Sequence, residues 1–386
     1  MVDNSIIVCT QFVSDKSNST GYFWSKLIVA LNDTYDVKVI STDSNVVDEN
    51  NIIVSPVSYD KNKFSSRFLG LFFLSYKFYR SVKRNLKSNE IIITGTNPIL
   101  LIFLLPILKN RIKFKWILVV HDLYPWNLFN AGNIKRRILT RPLEYVFSKI
   151  YDACDQIIVI GRDMKNVLRE YTDTPIDLVQ NWVSSADVKL VKRNESAILK
   201  YLNWGSDYTV FQFFGNMGGL QDIENILSAI SCVKSERARF IFIGDGAKRN
   251  LVVDYIANLK PGNVAYYGKL DMSLNSEGLA ACDIALVSLR KGMYGLGVPS
   301  KAYFSLAAGK NILAIMDCDS EISASVTDHN VGWCCEAGDP VALALIIDKI
   351  CNEYISVSRD DPRDIFLKNF DANILLPKLI QILDSL

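Results

Sequence analysis

The residues best suited to chemistry lie in the segment 290–310, RKGMYGLGVPSKAYFSLAAGK. An apolar run, DIALVSL, ends just before it, and a short helix is predicted over 300–308, with Pro299 at its start and Gly309 after its end. Glycines between a strand and a helix let backbone N–H groups approach an anion, and the helix dipole favours that anion. The glycines here are Gly292, Gly295 and Gly297. Lys301 adds a cation where the dipole opposes one, so the segment predicts a phosphate beside Lys301.

Three more loops of the second half combine glycine with polar residues after an apolar run. They are Gly215-Asn216-Met217-Gly218, Gly244-Asp245-Gly246 and Gly268-Lys269-Leu270. Each of them alone is compatible with an ordinary turn, because glycine is a usual turn residue. Parallel strands bring their carboxyl ends to one edge of a sheet, where α/β proteins bind their ligands. The four loops together therefore favour a nucleotide diphosphate site.

These loops must be positioned by strands and helices, which the sequence predicts from apolar runs that alternate with helical patterns. Strands are predicted at 5–11, 35–42, 51–57, 90–96, 115–121, 156–161 and 177–180, and then at 208–215, 239–246, 263–268, 283–289, 311–316 and 331–336. Helices are predicted at 20–32, 64–87, 98–108, 136–152 and 163–171, and then at 220–234, 247–259, 273–281, 300–308 and 340–353. This alternation is typical of α/β proteins with parallel sheets. We expect two Rossmann-like, doubly wound domains that face each other across a cleft.

The pattern restarts near the middle of the chain, which sets the expected domain boundaries. The first domain is predicted to cover residues 1–190 and the second 191–362, with the polar stretch 184–207 as the linker. The tail 363–386 is predicted as one helix, apolar on one face, that packs back onto the first domain.

Composition excludes several classes of protein. A hydrophobic content of 49% argues against a disordered chain, and a net charge of +2 is too small for a typical nucleic-acid-binding domain. Eight cysteines without a CxxC pair and only two histidines argue against a structural zinc site and favour reduced thiols in the cytoplasm. The start of the chain does not resemble a signal peptide. The longest apolar block, 98–108, is shorter than the ~20 residues of a spanning helix.

Motifs across most of the chain resemble those of the retaining glycosyltransferases of family 4, in their order and spacing. The motifs are STGYFWSKLIVAL (19–31), HDLYPWN (121–127), VQNWVSSADV (179–188), GNMG (215–218), FIGDG (242–246), NVAYYGKL (263–270), CDIALVSL (282–289) and VPSKAYFSLAAGKNILAI (298–315). The resemblance implies the GT-B fold. It is strongest to bacterial enzymes that extend lipid-linked surface polysaccharides of the O-antigen, capsule or colanic-acid type.

The resemblance also implies roles for individual residues. Gly215, Asn216 and Gly218 would lie against the donor diphosphate, while Gly244, Asp245, Gly246, Lys269 and Leu270 would border the base. The diphosphate and the donor sugar would be held by Arg290, Tyr294, Gly295, Gly297, Pro299, Ser300 and Lys301, with Lys301 neutralising the leaving group. His121 and Asp122 would face the transferred sugar across the cleft, and Gly21 would lie near the acceptor and the diphosphate. His121 also has a plainer interpretation, as a structural residue after a buried strand.

Two departures from the family pattern concern the donor site. Many members have two glutamates eight residues apart, where this chain has Leu296 and Phe304. The resemblance therefore implies that Ser300, Tyr303 or backbone groups bind the ribose in place of these glutamates. An Arg and a Lys that often contact the phosphates are replaced by Asn216 and Gln221.

The expected reaction is sugar transfer, with retention, from a nucleotide sugar to a lipid-linked saccharide. We expect UDP as the nucleotide, and neither a cofactor nor a metal. Two alternatives stay open: a nucleotide-sugar epimerase of the same fold, and an inactive relative that serves as a scaffold.

The segments 61–87 and 98–115 predict contact with an anionic membrane. Residues 61–87 contain eight basic residues and no acidic one, and Phe72, Val82 and Leu86 fall on one predicted apolar stripe. A basic amphipathic helix of this kind is typical of peripheral membrane proteins. Lys109, Arg111, Lys113 and Lys115 follow the second segment's apolar block. The alternative is a helix that packs on the first domain with a solvated basic face. We expect a peripheral enzyme on the cytoplasmic leaflet of the plasma membrane.

Overall fold

The computed structural model describes residues 5–14, 18–43, 51–58, 64–127, 140–353 and 359–386. In these residues the chain divides into two compact units, each built around one parallel sheet. The first unit covers the residues up to 180 together with 375–386, and the second covers 181–374.

The first unit contains a seven-stranded sheet with the order β3-β2-β1-β4-β5-β6-β7. Its strands are β1 (Ser5–Cys9), β2 (Asp36–Ser41), β3 (Asn51–Ile53), β4 (Ile91–Gly95), β5 (Lys115–Val120), β6 (Gln156–Val159) and β7 (Ile176–Leu178). All neighbours pair in parallel, and Ile7 lies opposite both Lys38 and Ile92. Helices cover both faces of such a sheet, which is why its central strands read as apolar runs without alternation.

The helices of this unit connect successive strands. They are α1 (Ser19–Asn32), α2 (Phe64–Asn85), α3 (Leu101–Lys109), α4 (Thr140–Asp152) and α5 (Arg162–Leu168). Right-handed crossovers place α1 on one face of the sheet and α2 to α5 on the other. The strand order reverses between β1 and β4, so the carboxyl ends of these two strands border a natural ligand site.

The second unit repeats the arrangement with a six-stranded parallel sheet, in the order β10-β9-β8-β11-β12-β13. Its strands are β8 (Thr209–Phe214), β9 (Ala238–Ile243), β10 (Val264–Gly268), β11 (Ile284–Ser288), β12 (Asn311–Ile315) and β13 (Gly332–Cys335). Its helices are α6 (Ala197–Tyr201), α7 (Ile223–Ile230), α8 (Arg249–Leu259), α9 (Asn275–Ala280), α10 (Lys301–Ala307), α11 (Glu321–Asp328), α12 (Pro340–Glu353) and α13 (Pro362–Asn369). The fold class predicted from the sequence is confirmed for each unit.

Three sequence predictions differ from the structure. The division between the units falls after residue 180 rather than 190, and the predicted linker contains α6. The tail is not one helix, because α13 ends at Asn369 and α14 (Ala372–Asp384) begins after a break. At this break the Asp371 carboxylate accepts the N–H groups of Ser185 and Asn373, and the second of these bonds caps α14. Only residues 375–386 of the tail belong to the first unit.

None of the helices in the described parts of the chain combines the length and the apolarity needed to cross a membrane.

Candidate functional site

The four predicted loops of the second unit all lie at the carboxyl edge of its sheet. They follow β8, β9, β10 and β11, which are neighbours in the order β10-β9-β8-β11. The structure thus places the predicted second-unit residues at this edge except Tyr303, although the Leu270 side chain packs against the apolar cluster that contains Ile241 and Ile243. The predicted residues of the first unit, Gly21, His121 and Asp122, lie at the corresponding edge of the other sheet.

The loops after β8 and β9 approach each other so closely that only glycine fits. A Cβ atom on Gly244 would stand 1.9 Å from the carbonyl oxygen of Gly215, and one on Gly246 would stand 2.6 Å from that of Met217. Gly215, Gly244 and Gly246 all have positive φ, which other residues rarely adopt. The Met217 N–H donates to the Asp245 carbonyl over 2.7 Å. The two loops therefore form one rigid backbone surface at the sheet edge.

Neutral side chains occupy the places where the family often has cations. The Gly218 N–H donates to Gln221 Oε1 over 3.0 Å, and the Asn216 amide lies against the same glycine. A hydrogen bond between Gln221 and the loop backbone fixes the loop but supplies no positive charge. Lys248, whose backbone N–H donates to the Met217 carbonyl over 2.8 Å, is paired with Glu224.

The segment 290–300, here called the glycine loop, is held by a carboxylate that the sequence did not single out. Asp317 follows β12 directly and accepts the N–H groups of Gly292, over 2.9 Å, and of Tyr294, over 2.8 Å. These two amides therefore already have an anionic partner within the protein. The only sequence signal for Asp317 is an acidic residue just after the strand that neighbours β11.

Lys301 begins α10 and lies over an aromatic ring. Its Nζ atom stands 3.8 Å from the centroid of the Phe213 ring, which belongs to the neighbouring strand β8. Burial lowers the pKa of Lys301 to about 7. Among the residues that the structure describes, no carboxylate forms an ion pair with Lys301. The side chain is thus held partly out of water, and an anionic ligand beside it would favour its charged form.

Ser300 and Tyr303 were the candidates for contact with a ribose, and the structure separates them. Ser300 is half-buried at the start of α10, and its side chain makes no capping hydrogen bond. Tyr303 is 1% exposed, and its ring packs edge-on against Phe370 at 5.2 Å between centroids. Tyr303 therefore belongs to the core beneath α10, and we leave it out of the proposed donor site.

Cations that remain near the glycine loop are weakly held or exposed. Lys291 lies 3.9 Å from Glu336, and both side chains are exposed. Lys269 is exposed in the loop after β10. Arg290 lies close enough to Asp222 to offset part of the rise in the pKa of that carboxyl, which desolvation causes.

A recess opens at the carboxyl edge of the first unit's sheet. The recess is small, and the empty space of about 210 Å³ around it includes open solvent at its mouth. The residues that line it follow β1, β4 and β5 or belong to α1: Thr10, Thr20, Trp24, Gly95, Thr96, Asn97, His121 and Asp122. Gly21, predicted near the acceptor, is buried in the first turn of α1, where its N–H donates to Asn18 Oδ1 over 2.8 Å. The Gly21 N–H is therefore used in capping the helix.

His121 is held as a neutral imidazole in this recess. Its ring packs edge-on against Phe23 at 4.6 Å between centroids, and burial lowers its pKa to about 4. Its Nε2 atom is buried and has no hydrogen-bond partner among the described residues. Desolvation raises the pKa of Asp122, while a 2.9 Å hydrogen bond from Asn127 opposes that rise. The recess thus offers a neutral imidazole and a carboxyl group to a ligand.

Comparisons with known proteins agree with this arrangement. Residues 24–187 match the family model "Glycosyltransferase Family 4", and residues 209–353 match the model "Glycosyl transferases group 1". A probable glycosyltransferase of Pseudomonas aeruginosa, WbjE, is 39% identical over 384 residues, which is 97% of this chain and 96% of that protein.

Solved structures share the fold at low sequence identity. A sucrose-phosphate synthase from Thermosynechococcus elongatus superposes with a TM-score of 0.75 at 15% identity, over 99% of this chain and 98% of that one. Anabaena HepE in complex with UDP and glucose gives a TM-score of 0.73 at 13% identity, over 99% and 100% of the two chains. These likenesses establish the GT-B type of fold, and the sequence matches over both units show that the chain belongs to the family 4 (group 1) glycosyltransferases.

Proposed function

We propose that this protein transfers a sugar, with retention of configuration, from a UDP-sugar to a saccharide carried on a polyprenyl diphosphate. The product would be a bacterial surface polysaccharide of the O-antigen or capsule type. The observation that carries the proposal is Lys301, a half-buried lysine without an ion-pair partner in the described residues, at the start of a helix bordered by the glycine loop. A diphosphate would supply the negatively charged partner that this lysine lacks among the described residues.

Electrostatic stabilisation of the leaving diphosphate accounts for the expected catalysis. Bond cleavage between the sugar and UDP leaves charge on the diphosphate, and Lys301 would neutralise part of it. The glycine loop contains no carboxylate that could serve as a covalent nucleophile. We therefore favour departure on the front face of the sugar, where the leaving diphosphate accepts the proton of the acceptor hydroxyl.

Neutral His121 suits contact with an uncharged sugar. An imidazole with a pKa of about 4 is unprotonated at neutral pH, so one ring nitrogen donates and the other accepts a hydrogen bond. Related proteins support a UDP-sugar donor, since HepE was solved with UDP and with UDP-glucose. An outer-core galactosyltransferase of lipopolysaccharide, WaaB, has the same fold and supports a saccharide acceptor at the cell surface.

Calorimetric titration with UDP, GDP and ADP tests the donor site. We expect selective binding of UDP that weakens at least tenfold in Lys301→Ala, or roughly 1.4 kcal/mol. Lys291→Ala is the matched control, because it removes an exposed cation of the same loop. If no nucleotide binds, or if Lys301→Ala binds UDP as well as the wild type, the diphosphate site is refuted and the scaffold alternative is favoured.

We also propose that α2 contacts an anionic membrane, through a face that shares Phe72 with the predicted stripe but excludes Val82 and Leu86. Val82 and Leu86 are buried against the first unit, whereas Phe72 is exposed, so the stripe does not form one surface. The exposed apolar residues are Leu69, Phe72, Phe73 and Tyr76, at 53, 49, 53 and 47% of their surface. Exposed basic residues follow on the same helix at Lys77, Arg80, Lys83 and Arg84. Lys109 drops out of the predicted basic set, because it pairs with Asp155 at 2.6 Å.

The direction of α2 supports contact near the site. The helix leaves the carboxyl end of β3 and returns to the amino end of β4, so its aromatic first half lies toward the sheet edge where the recess opens. Aromatic residues enter the interface between headgroups and acyl chains, and basic residues attract anionic headgroups. A membrane on this face would bring a lipid-linked acceptor close to the recess.

Flotation with vesicles tests the membrane contact. We expect the wild type to float with vesicles that contain phosphatidylglycerol but not with vesicles of pure phosphatidylcholine. The double variant Phe72→Ser, Phe73→Ser should lose most of this binding. A control variant, Val341→Ser with Leu345→Ser, changes two equally exposed residues of α12 and should float normally. Equal flotation with both lipids would refute the proposal.

A further inference from the structure

Two buried nitrogen atoms beside the recess of the first unit lack a hydrogen-bond partner among the described residues. They are Nε1 of Trp24 and Nε2 of His121. The Trp24 side chain is 0% exposed, and its ring centroid lies 5.9 Å from that of His121. Buried polar groups in folded proteins are nearly always hydrogen-bonded, to protein, water or ligand, so an unpartnered pair at a recess marks a place where a polar ligand could be recognised.

Another tryptophan of the same unit shows how a structural indole is satisfied. Trp116 on β5 is equally buried, and its Nε1 donates to Thr94 Oγ1 over 2.9 Å. The contrast between Trp116 and Trp24 therefore concerns the hydrogen bond rather than the depth of burial.

The position of the Trp24 indole is fixed by Gly95 at the end of β4. A Cβ atom at residue 95 would stand 3.0 Å from Cζ2 of Trp24 and 3.5 Å from its Nε1. The ring of Phe23 also packs edge-on against Trp24, at 5.5 Å between centroids. The indole N–H thus has a defined direction, as a group that selects a ligand requires.

The lining of the recess limits the chemistry of its ligand. Thr10 and Thr96 are buried, and their hydroxyls both donate and accept hydrogen bonds. Among the residues that the structure describes, the lining includes the carboxyl group of Asp122 but neither a lysine nor an arginine. A hydroxyl group would satisfy the indole N–H with its oxygen and the imidazole or a threonine with its hydrogen.

We propose that Trp24 is a specificity-determining residue, whose indole N–H donates a hydrogen bond to one hydroxyl oxygen of a pyranose in this recess. The inference rests on the proposed sugar transfer and names a side chain that selects the sugar. The pyranose is either the sugar of the donor or the terminal sugar of the acceptor, since both present the same hydroxyl chemistry.

The indole N–H itself can be observed by ¹⁵N NMR of the protein labelled at its six tryptophans. Trp24→Phe and Trp116→Phe assign the two resonances. The protein is then titrated with UDP alone, with UDP-glucose, UDP-galactose and UDP-N-acetylglucosamine, and with the methyl glycosides of the same sugars, with and without UDP. We expect the Trp24 resonance to move with at least one sugar while that of Trp116 stays in place.

Each outcome of this titration bears on the proposal. A shift with a UDP-sugar but not with UDP supports the donor sugar as the ligand, and a shift with a methyl glycoside supports the acceptor sugar. If UDP binds but no sugar moves the Trp24 resonance, the role of Trp24 is refuted while the proposed function stands. If UDP does not bind, the proposed function fails, and the glycosides without UDP still decide whether the recess holds a sugar. Equal shifts of Trp24 and Trp116 also refute the assignment, because they indicate a general change.

Variants give a second measurement that a purely structural role would not produce. For the best-bound sugar ligand, we expect Trp24→Phe to lower affinity about tenfold, in line with the loss of one hydrogen bond. The affinity of Trp24→Phe for UDP alone should not change. Thr96→Val keeps the indole and should weaken binding of the same sugar. Trp116→Phe, which lies outside the recess, should leave sugar affinity unchanged. Loss of UDP affinity and sugar affinity together in Trp24→Phe would overturn the proposal.

Discussion

The ammonium group of Lys301 lies 3.8 Å from the centroid of the Phe213 ring, at the edge of the sheet where the glycine loop begins. The face of an aromatic ring stabilises a cation, but burial removes the water that would otherwise solvate its charge. The loss of water dominates here, because burial lowers the pKa of Lys301 to about 7. The free protein therefore holds this lysine only partly charged at neutral pH.

Binding of UDP should pull a proton onto Lys301. Above pH 7 the free lysine is mostly neutral, and a diphosphate beside it raises its pKa toward the ordinary value. Calorimetry at pH 8 to 9, in two buffers of different ionisation enthalpy, should show uptake of close to one proton per UDP bound. The phosphates of UDP are fully ionised there, since their second pKa lies near ~6. Lys301→Met should abolish the uptake and Lys291→Met should keep it; binding without proton uptake by the wild type would contradict the contact.

Asp317 should govern the affinity for the donor through the backbone of the glycine loop. In Asp317→Ala the N–H groups of Gly292 and Tyr294 lose this acceptor. We expect a loss of roughly 1–3 kcal/mol in the free energy of unfolding and, by titration, a clear loss of UDP affinity. Asp317→Asn, which keeps one acceptor oxygen, should fall between the alanine variant and the wild type.

Asp348 offers the matched control for this prediction. Its carboxylate accepts the N–H groups of Lys234, over 3.0 Å, and Ser235, over 2.8 Å, before β9 and away from the glycine loop. Asp348→Ala should therefore lower stability without changing UDP affinity. Equal UDP affinity in the Asp317 and Asp348 variants would show that Asp317 only stabilises the fold.

The sequence predicts the strand–helix alternation well because buried parallel strands appear as continuous apolar runs. The same pattern does not give strand adjacency in space, and so it missed Asp317, whose contact with Gly292 depends on β12 lying beside β11. Periodicity also found an apolar face on α2 without deciding which face is buried. Phe72 and Val82 look alike in sequence, yet only Val82 is buried. The family pattern suggested Tyr303 for the ribose, but packing against Phe370 places it in the core.

Gly244 should tolerate no side chain. Its φ of +135° and the 1.9 Å separation between a Cβ atom added there and the Gly215 carbonyl oxygen would force the two loops apart. We expect Gly244→Ala to lower the unfolding free energy by more than about 3 kcal/mol or to prevent folding. Gly219→Ala, in the same loop region but with no atom near its Cβ position, should change stability by less than about 0.5 kcal/mol. Chemical denaturation of both variants checks this, and similar midpoints would contradict the close approach of the loops.

The neutral state of His121 should make stability depend on pH between about 4 and 6.5. The unfolded chain binds a proton at the ordinary histidine pKa of 6.5, whereas the folded protein does so only near pH 4. Between these values the unfolded state holds more protons, so stability rises with pH, is complete above 6.5 and is lost as the pH falls toward 4. The full difference is at most about 3 kcal/mol. Urea denaturation across this range should show the slope in the wild type and in His329→Gln, and a flatter curve in His121→Phe, which keeps a ring against Phe23. An unchanged slope in His121→Phe would assign the pH dependence to other groups and would contradict the buried, neutral imidazole on which the sugar contact depends.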